Sequence, residues 1–330
     1  MNMQYEKVII IGGGPCGMSC ALELKKQGID PLIIEKGNVV NTIYNFPTHQ
    51  TFFSSSEKLE IGDMPFITEN QKPVRNQALA YYREVAKRNQ IRMNTYEKVT
   101  KLSNQADRFL IETELFNGNN RTYTADQLII ATGYYDQPNY LDIPGESKRK
   151  VMHYFKEAHP YYDKDVAVIG GKNSSVDAAL ELYKAGAHVT VLYRGEEYSK
   201  SIKPWILPEF DSLIKKGFVT MIYNSHVTEI MDDKIQYTAD GKKFTINNDF
   251  VFAMTGYRPD YSLLEMVNIQ IDDRSGKPSY NPETYETNID GVYIAGVIAA
   301  GFNNNEIFIE NGRFHGEAIA KSICQRLGHN

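Results

Sequence analysis

Three glycines, a cysteine and a glutamate near the N-terminus carry the chemistry that this chain most readily suggests. Gly12-x-Gly14-x-x-Gly17 follows the β-branched run 7–11, opens a helical stretch at Pro15-Cys16, and is followed by Glu35 at the end of the next apolar run. In that setting Gly12 permits a tight turn, Gly14 lets the backbone approach a pyrophosphate, and Gly17 lets helix and strand pack closely. The phosphates then sit on a helix N-terminus, where N–H groups and the dipole favour negative charge. Glu35 accepts hydrogen bonds from ribose hydroxyls, a role incompatible with a 2′-phosphate. A ligand-free glycine turn is the plain alternative, and an acid in register at position 35 weighs against it.

A second strand, turn and helix follow at 166–169, Gly170-Gly171-Lys172-Asn173-Ser174-Ser175 and 176–185. Gly171, Lys172, Asn173 and Ser174 are the expected phosphate contacts. Lys172 stands where glycine would admit a pyrophosphate: its Cβ pushes the ligand outward, while its ammonium can pair with a phosphate. Ser175 replaces the packing glycine. Arg194 ends the following strand, at the position that Glu35 holds in the first unit, and a guanidinium there suits a 2′-phosphate. NADPH is therefore the expected second ligand, with a solvated strand-end charge as the alternative.

These residues need a scaffold. Alternation of apolar runs with helical patterns predicts an α/β fold with two Rossmann-like dinucleotide-binding domains. The strands 127–131 and 249–254 each end in Thr-Gly (Thr132-Gly133, Thr255-Gly256) and look like mutual counterparts marking crossovers. The second domain, 137–260, is thus expected as an insertion in the first, 1–136 and 261–330. The first is expected to hold strand 7–11, helix 15–27, strand 31–35, helix 77–89, an antiparallel meander over 91–100, 108–114 and 121–124, strand 127–131, strand 292–295 and one final helix over 305–327. The second is expected to hold strand 165–169, helix 174–185, strand 188–193, a meander near 219–223, 227–230, 234–238 and 243–246, and a closing strand 249–254.

With 330 residues, 42% hydrophobic and 23% charged, the chain has room for two cores of ordinary globular composition. A net charge of −5 argues against a nucleic-acid or anionic-membrane partner. The apolar stretch 8–24 is interrupted by glycines and a proline and is too short to span a bilayer. The cysteines are Cys16, Cys20 and Cys324, without a Cys-x-x-Cys, which excludes a metal cage and fits a reducing, cytoplasmic compartment.

The glycine turns, Glu35, Ala131-Thr132-Gly133 and the stretch Thr287 to Gly296 together resemble the flavoprotein reductases of the thioredoxin-reductase type over nearly the whole chain. That resemblance implies FAD in the first unit, NADPH in the second, and a last helix whose N-terminus points at the flavin ring. It adds Lys36, Val99, Thr132, Gly133, Gly296 and Val297 to the cofactor contacts. Two features depart from it. The redox Cys-x-x-Cys of the NADPH domain is absent, and Val297 replaces the aspartate that follows Ala-Gly in that family. Longer stretches are similar to the bacillithiol disulfide reductase family: 12–17, 45–56 (Asn-Phe-Pro-Thr-His-Gln-Thr-Phe-Phe-Ser-Ser-Ser), 153–160 (His-Tyr-Phe-Lys-Glu-Ala-His-Pro) and 201–208 (Ser-Ile-Lys-Pro-Trp-Ile-Leu-Pro). The implied task is NADPH-dependent, FAD-mediated reduction of a low-molecular-weight disulfide. His49 and Gln50 would then line the flavin ring, with a polar loop packing on itself as the alternative.

The same family reading assigns onward electron transfer to Cys16. A helix dipole lowers a thiol pKa at that place, whereas a neighbouring pyrophosphate raises it, so the residues leave the sign open. Nucleophile and packing residue are both open for Cys16. Cys20 is one turn on, where Cβ atoms lie about 5–6 Å apart. A disulfide needs about 4.5 Å or less, so no internal bridge is expected. Trp205, between two prolines, is either an anchor of a homo-oligomer, dimer or higher, or local packing. A ferredoxin- or flavodoxin–NADP reductase of like architecture and a cofactor-binding redox sensor are the rival readings.

Overall fold

The structure is a computed structural model that describes residues 3–105, 107–303 and 305–328. It divides into two compact units, one formed by residues 1–137 with 258–330 and the other by 138–257.

The first unit opens with β1 (Met3–Ile11), α1 (Pro15–Lys26), β2 (Leu32–Ile34), α2 (Asn41–Asn45) and α3 (Arg75–Arg88). It continues with β3 (Met93–Asn94), β4 (Glu97–Gln105), β5 (Arg108–Leu115) and β6 (Asn120–Ile130). The chain leaves through β7 (Gln137–Pro138).

The second unit runs β8 (Val151–Met152), β9 (Asp165–Ile169), α4 (Asn173–Lys184), β10 (His188–Leu192), α5 (Leu207–Lys215), β11 (Val219–Ile222), β12 (Ser225–Ile230), β13 (Lys234–Ala239), β14 (Lys242–Asn247) and β15 (Phe250–Ala253). The chain returns through β16 (Tyr257–Arg258), which pairs with β7, and ends with α6 (Ser262–Met266), β17 (Val292–Ile294), α7 (Ile309–Gly312) and α8 (His315–Arg326).

In the first unit a seven-stranded sheet has the order β3-β2-β1-β6-β5-β4, with β17 also on β6. β6 is one continuous strand, although two short ones were expected over the same residues. Nothing between Thr124 and Gln127 breaks an extended chain, and the strand pairs with β1 along one edge and serves two neighbours along the other. Its first half pairs antiparallel with β5, from Glu114↔Asn120 to Phe109↔Ala125, and its second half pairs parallel with β17, from Leu128↔Val292 to Ile130↔Ile294. The meander is therefore an extension of the nucleotide-binding sheet. The expected strand over 91–100 is split, because Tyr96 adopts a left-handed φ of 56° and donates its N–H to Gly37 O at 2.8 Å. Apolar residues of α1, α3 and α8 fill one face of the sheet (Met18, Leu22, Tyr82, Val85, Ile319, Ile323), and the alternate strand residues Ile9, Ile11, Leu32 and Ile34 face a second cluster.

In the second unit β11-β10-β9-β15-β8 form an all-parallel sheet, and β12-β13-β14 form a separate antiparallel one. Residues 219–222 thus belong to the parallel sheet rather than to the meander. The short helices α5 and α6 were not expected from sequence. The final helix is also shorter than expected. Asparagine side chains hold the chain before it, with Asn311 Nδ2 donating to Glu306 O at 2.9 Å and Phe308 N–H to Asn311 Oδ1 at 2.8 Å. Competition of such side chains with the helical ladder delays the helix.

Candidate functional site

In the first unit the carboxyl ends of β1, β6 and β17 lie side by side: Ala131 N–H donates to Ile11 O at 2.8 Å, and Ala295 N–H to Ile130 O at 2.9 Å. Gly12, Thr132, Gly133 and Gly296 leave these ends and share one sheet edge. Each turn glycine has its own reason. Gly12 has φ +113°, and a Cβ there would lie 2.4 Å from Ala131 O. A Cβ on Gly17 would meet Gly12 O at 2.1 Å, so the first turn of α1 is packed directly on the loop. A Cβ on Gly14 would meet nothing within 4 Å. That open space lies over the N-terminus of α1, where Gly14 is the cap, Pro15 is the first helical residue, and no side chain caps the free N–H groups. The cradle fits a pyrophosphate. Thr132 Oγ1, beside it, is buried without a hydrogen-bond partner.

Glu35 follows β2 and is 7% exposed. Its carboxylate accepts Gly13 N–H and Gly37 N–H, both at 2.7 Å. Burial raises its pKa above the usual carboxylate range, and these two donors oppose the rise. The bonds use one lone pair on each oxygen and leave the others for hydroxyl donors. Lys36 instead pairs with Asp136 at 2.8 Å. Val99 lies in the apolar cluster with Leu102 and Ile111. His49 is exposed, and the carbonyl of Gln50 accepts Arg75 N–H at 2.8 Å. Their loop is placed by Phe46, whose ring meets that of Tyr135, just past Gly133, edge-on at 5.6 Å.

Cys16 sits where these ends converge. A Cβ on Gly296 would lie 3.0 Å from its Sγ, and one on Gly312 would lie 2.9 Å away. Burial pushes the thiol up to about 12, and the Glu310 carboxylate adds to the rise. Desolvation and the neighbouring acid thus act in the same direction on this thiol. Glu310 itself accepts a hydrogen bond from Ser54. Cys20 and Cys324 are buried, and all three cysteines are free thiols.

In the second unit Gly170 has φ +139°, and a Cβ on it would meet Met254 O at 2.5 Å. Gly171 lies on the Tyr193 ring, which a Cβ would approach to 2.3 Å. Ser175 fills the packing position without strain: it is 1% exposed, and its Oγ accepts Lys172 N–H and donates to Lys172 O, each at 3.0 Å. Asn173 spends its side chain on a loop, donating to Ser201 O at 2.8 Å and accepting Lys203 N–H at 2.9 Å. Lys172 and Ser174 are exposed at the start of α4, and Arg194 is exposed after β10.

Three residues of this architecture went unread in the sequence. Glu97, 2% exposed, accepts Thr113 Oγ1 at 2.6 Å, Tyr123 OH at 2.7 Å and Arg121 Nη1 at 3.2 Å. Its own N–H reaches Glu35 O at 3.0 Å, which clips the segment carrying the acid to β4. The signal available was a carboxylate in register with Val99 on the inward face. His315, 6% exposed, shares the apolar face of α8 with Ile319 and Ile323 at helical spacing. Glu310 carried no such pattern. Among the described residues no group of His, Cys, Asp and Glu is placed to hold a metal ion. No helix among them is long and apolar enough to cross a membrane.

Comparison with known proteins places this arrangement. Residues 9–296 match the family described as Pyridine nucleotide-disulphide oxidoreductase. The chain is 63% identical over 329 residues to Bacilliredoxin reductase Bdr of Bacillus subtilis, covering 99% of this chain and 100% of that protein. The solved structure of Bacillithiol Disulfide Reductase Bdr from Bacillus cereus is 62% identical with a TM-score of 0.96, over 98% of this chain and 100% of that one. The fold extends to the thioredoxin reductase of T. acidophilum, with a TM-score of 0.75 at 23% identity, over 98% of this chain and 99% of that one. With the family matched over most of its length and the relative over all of it, the chain belongs to the pyridine nucleotide-disulphide oxidoreductases, within the Bdr group.

Proposed function

We propose that this flavoprotein takes electrons from NADPH and, by way of FAD, reduces the disulfide of a low-molecular-weight bacterial thiol of the bacillithiol type. FAD and NADPH are the cofactors of its family. The observation that carries the reading is the pair of strand–turn–helix cradles, with Glu35 after the second strand of one unit and Arg194 after the corresponding strand of the other. In this reading residues 1–136 and 261–330 hold FAD, and 137–260 hold NADPH. The N-terminus of α1 with Gly12, Gly14, Pro15 and Gly17 receives the FAD pyrophosphate, Glu35 its ribose, and Thr132, Gly133, Gly296 and Val297 flank it, with Lys36, His49, Gln50 and Val99 further along the same ligand. Gly171, Lys172, Asn173 and Ser174 receive the NADPH pyrophosphate, and Arg194 its 2′-phosphate. FAD, when bound, supplies the two-electron carrier between nicotinamide and disulfide.

Cys16 is the proposed nucleophile. Its sulfur loses a proton and attacks one sulfur of the substrate disulfide; that S–S bond breaks, one thiol leaves with a proton, and a mixed disulfide remains. Two electrons and a proton originating as hydride from NADPH, with one further proton from solvent, then cleave the mixed disulfide, releasing the second thiol and restoring the Cys16 thiol. A second reading, in which Cys16 only packs under the cofactor, is favoured by the wedging of its sulfur between Gly296 and Gly312 and by its raised pKa.

The test is an anaerobic titration with NADPH followed by oxidised bacillithiol or by an oxidised bacilliredoxin, the two acceptors named in its relatives. Bleaching of the flavin and return of its yellow colour on adding either acceptor is expected. Recovery only with an iron–sulfur protein or a flavodoxin would favour the rival reductase, and sluggish oxidation with every acceptor would favour a sensor. A homo-oligomer in a reducing cytoplasm completes the proposal, supported by an indole 58% exposed at Trp205 and by three free thiols. A monomeric mass in solution would remove the first of these.

A further inference from the structure

Gly296 and Val297 occupy the turn that leaves β17, and Val297 has no group to replace the hydrogen bond of the acid that the resemblance expects. What fixes the turn is its backbone. Gly296 has φ +78°, and its buried N–H points inward to His315 Nδ1 at 3.2 Å. The imidazole is stacked on Tyr285, with centroids 4.1 Å apart and planes at 18°. Tyr285 in turn accepts the N–H of Ile294, in β17, at 3.0 Å. The next residue, Gly316, lies so close to α1 that a Cβ would come within 3.0 Å of the Cys20 backbone, so α8 cannot slide. Gly296 then continues into a turn closed by Ala299 N–H on its carbonyl at 3.1 Å.

We propose that His315 is a positioning residue for FAD: its Nδ1 acceptor sets the Gly296-Val297 turn against the cofactor and beside Cys16. The proposal rests on the reading of that turn as an FAD contact. Because Nδ1 accepts, the ring proton resides on Nε2. Protonation of Nδ1 would set two donors against each other and release the turn. Burial is what lowers the imidazole's pKa, to about 4, with no charged group shifting it. The Tyr285 ring is stacked on it, and the backbone of Ser19 and Cys20 in α1 lies against the neighbouring Gly316.

The test uses the holoenzyme and two variants, with release of FAD on dilution followed by flavin fluorescence. In His315→Leu, loss of one buried acceptor should speed FAD release about tenfold. His315→Asn, whose Oδ1 replaces Nδ1, should restore release to within about threefold of the native rate. Native release should also accelerate as pH falls toward 4, and His315→Asn should lack that acceleration. A merely structural histidine would show neither rescue by Asn nor the loss of the acid limb. Native-like release from His315→Leu, or an Asn variant no better than Leu, would overturn the proposal; should Leu fail to fold, the acid limb of the Asn variant decides alone. A native protein that purifies without FAD would overturn the reading of the first site and this proposal with it.

Discussion

At the scale of single residues, the sulfur of Cys16 and the guanidinium of Arg194 carry the two sharpest consequences. A thiol with a pKa near 12 is almost wholly protonated at neutral pH. Alkylation of Cys16 by iodoacetamide should therefore be slow at pH 8 and rise about tenfold per pH unit up to pH 10, since the thiolate is the reacting species; mass spectrometry of the labelled peptide reads this directly, and a plateau below pH 9 would contradict it. Cys16→Ala should keep its flavin and its NADPH oxidation and lose disulfide turnover. Unchanged turnover would leave Cys16 as packing. Arg194 is exposed after β10, where the proposed reading has it meet a 2′-phosphate. Arg194→Ala should raise the KM for NADPH about tenfold or more while leaving that for NADH within about twofold. Equal effects on both would assign the arginine to a general electrostatic role.

The elements show where local chemistry and packing pull apart. A Cβ on Gly17 would strike Gly12 O, whereas one on Gly14 would meet open space. Gly17→Ala should thus destabilise the first unit by about 2–3 kcal/mol even without ligand. Gly14→Ala should fold normally and weaken FAD binding; thermal melts of both variants with and without added FAD separate the two effects. In α4, Asp177 has its pKa raised to about 6 by burial first and by Glu181 second, with Lys184 opposing. A folded-state pKa above the unfolded value means that the folded chain holds the extra proton between pH 4 and 6. Stability is therefore lost as pH rises through that window. Asp177→Asn should stabilise the protein by about 1–3 kcal/mol at pH 7.5, with the gain vanishing below pH 4. Equal melting of variant and native protein at pH 7.5 would refute this.

The sequence revealed most of this level. The glycine turns, their strands and Glu35 were readable because each residue type answers a local backbone demand. The continuity of β6, the delayed start of the last helix and the pairing of residues 219–222 were not readable, since partners distant in sequence decide them. The same holds for His315 and Glu97, whose roles come from Gly296 and from Thr113, Tyr123 and Arg121.

For the whole molecule, two units with separate sheets and separate cores should answer their ligands separately. Hydrogen exchange with added NADP⁺ should slow amides of 166–176 and 190–196 and leave 8–20 and 33–37 unchanged, because protection follows the bound site. Protection of 8–20 by NADP⁺ would exchange the two assignments. The placement of Cys16 bears on the setting in which such a reductase works. Oxidants attack thiolates, and at a pKa near 12 the thiolate fraction at pH 7.5 is on the order of 10⁻⁵ to 10⁻⁴. With its sulfur also packed against Gly296 and Gly312, Cys16 should resist oxidation to sulfinic acid by peroxide, and mass spectrometry of the peroxide-treated protein checks this.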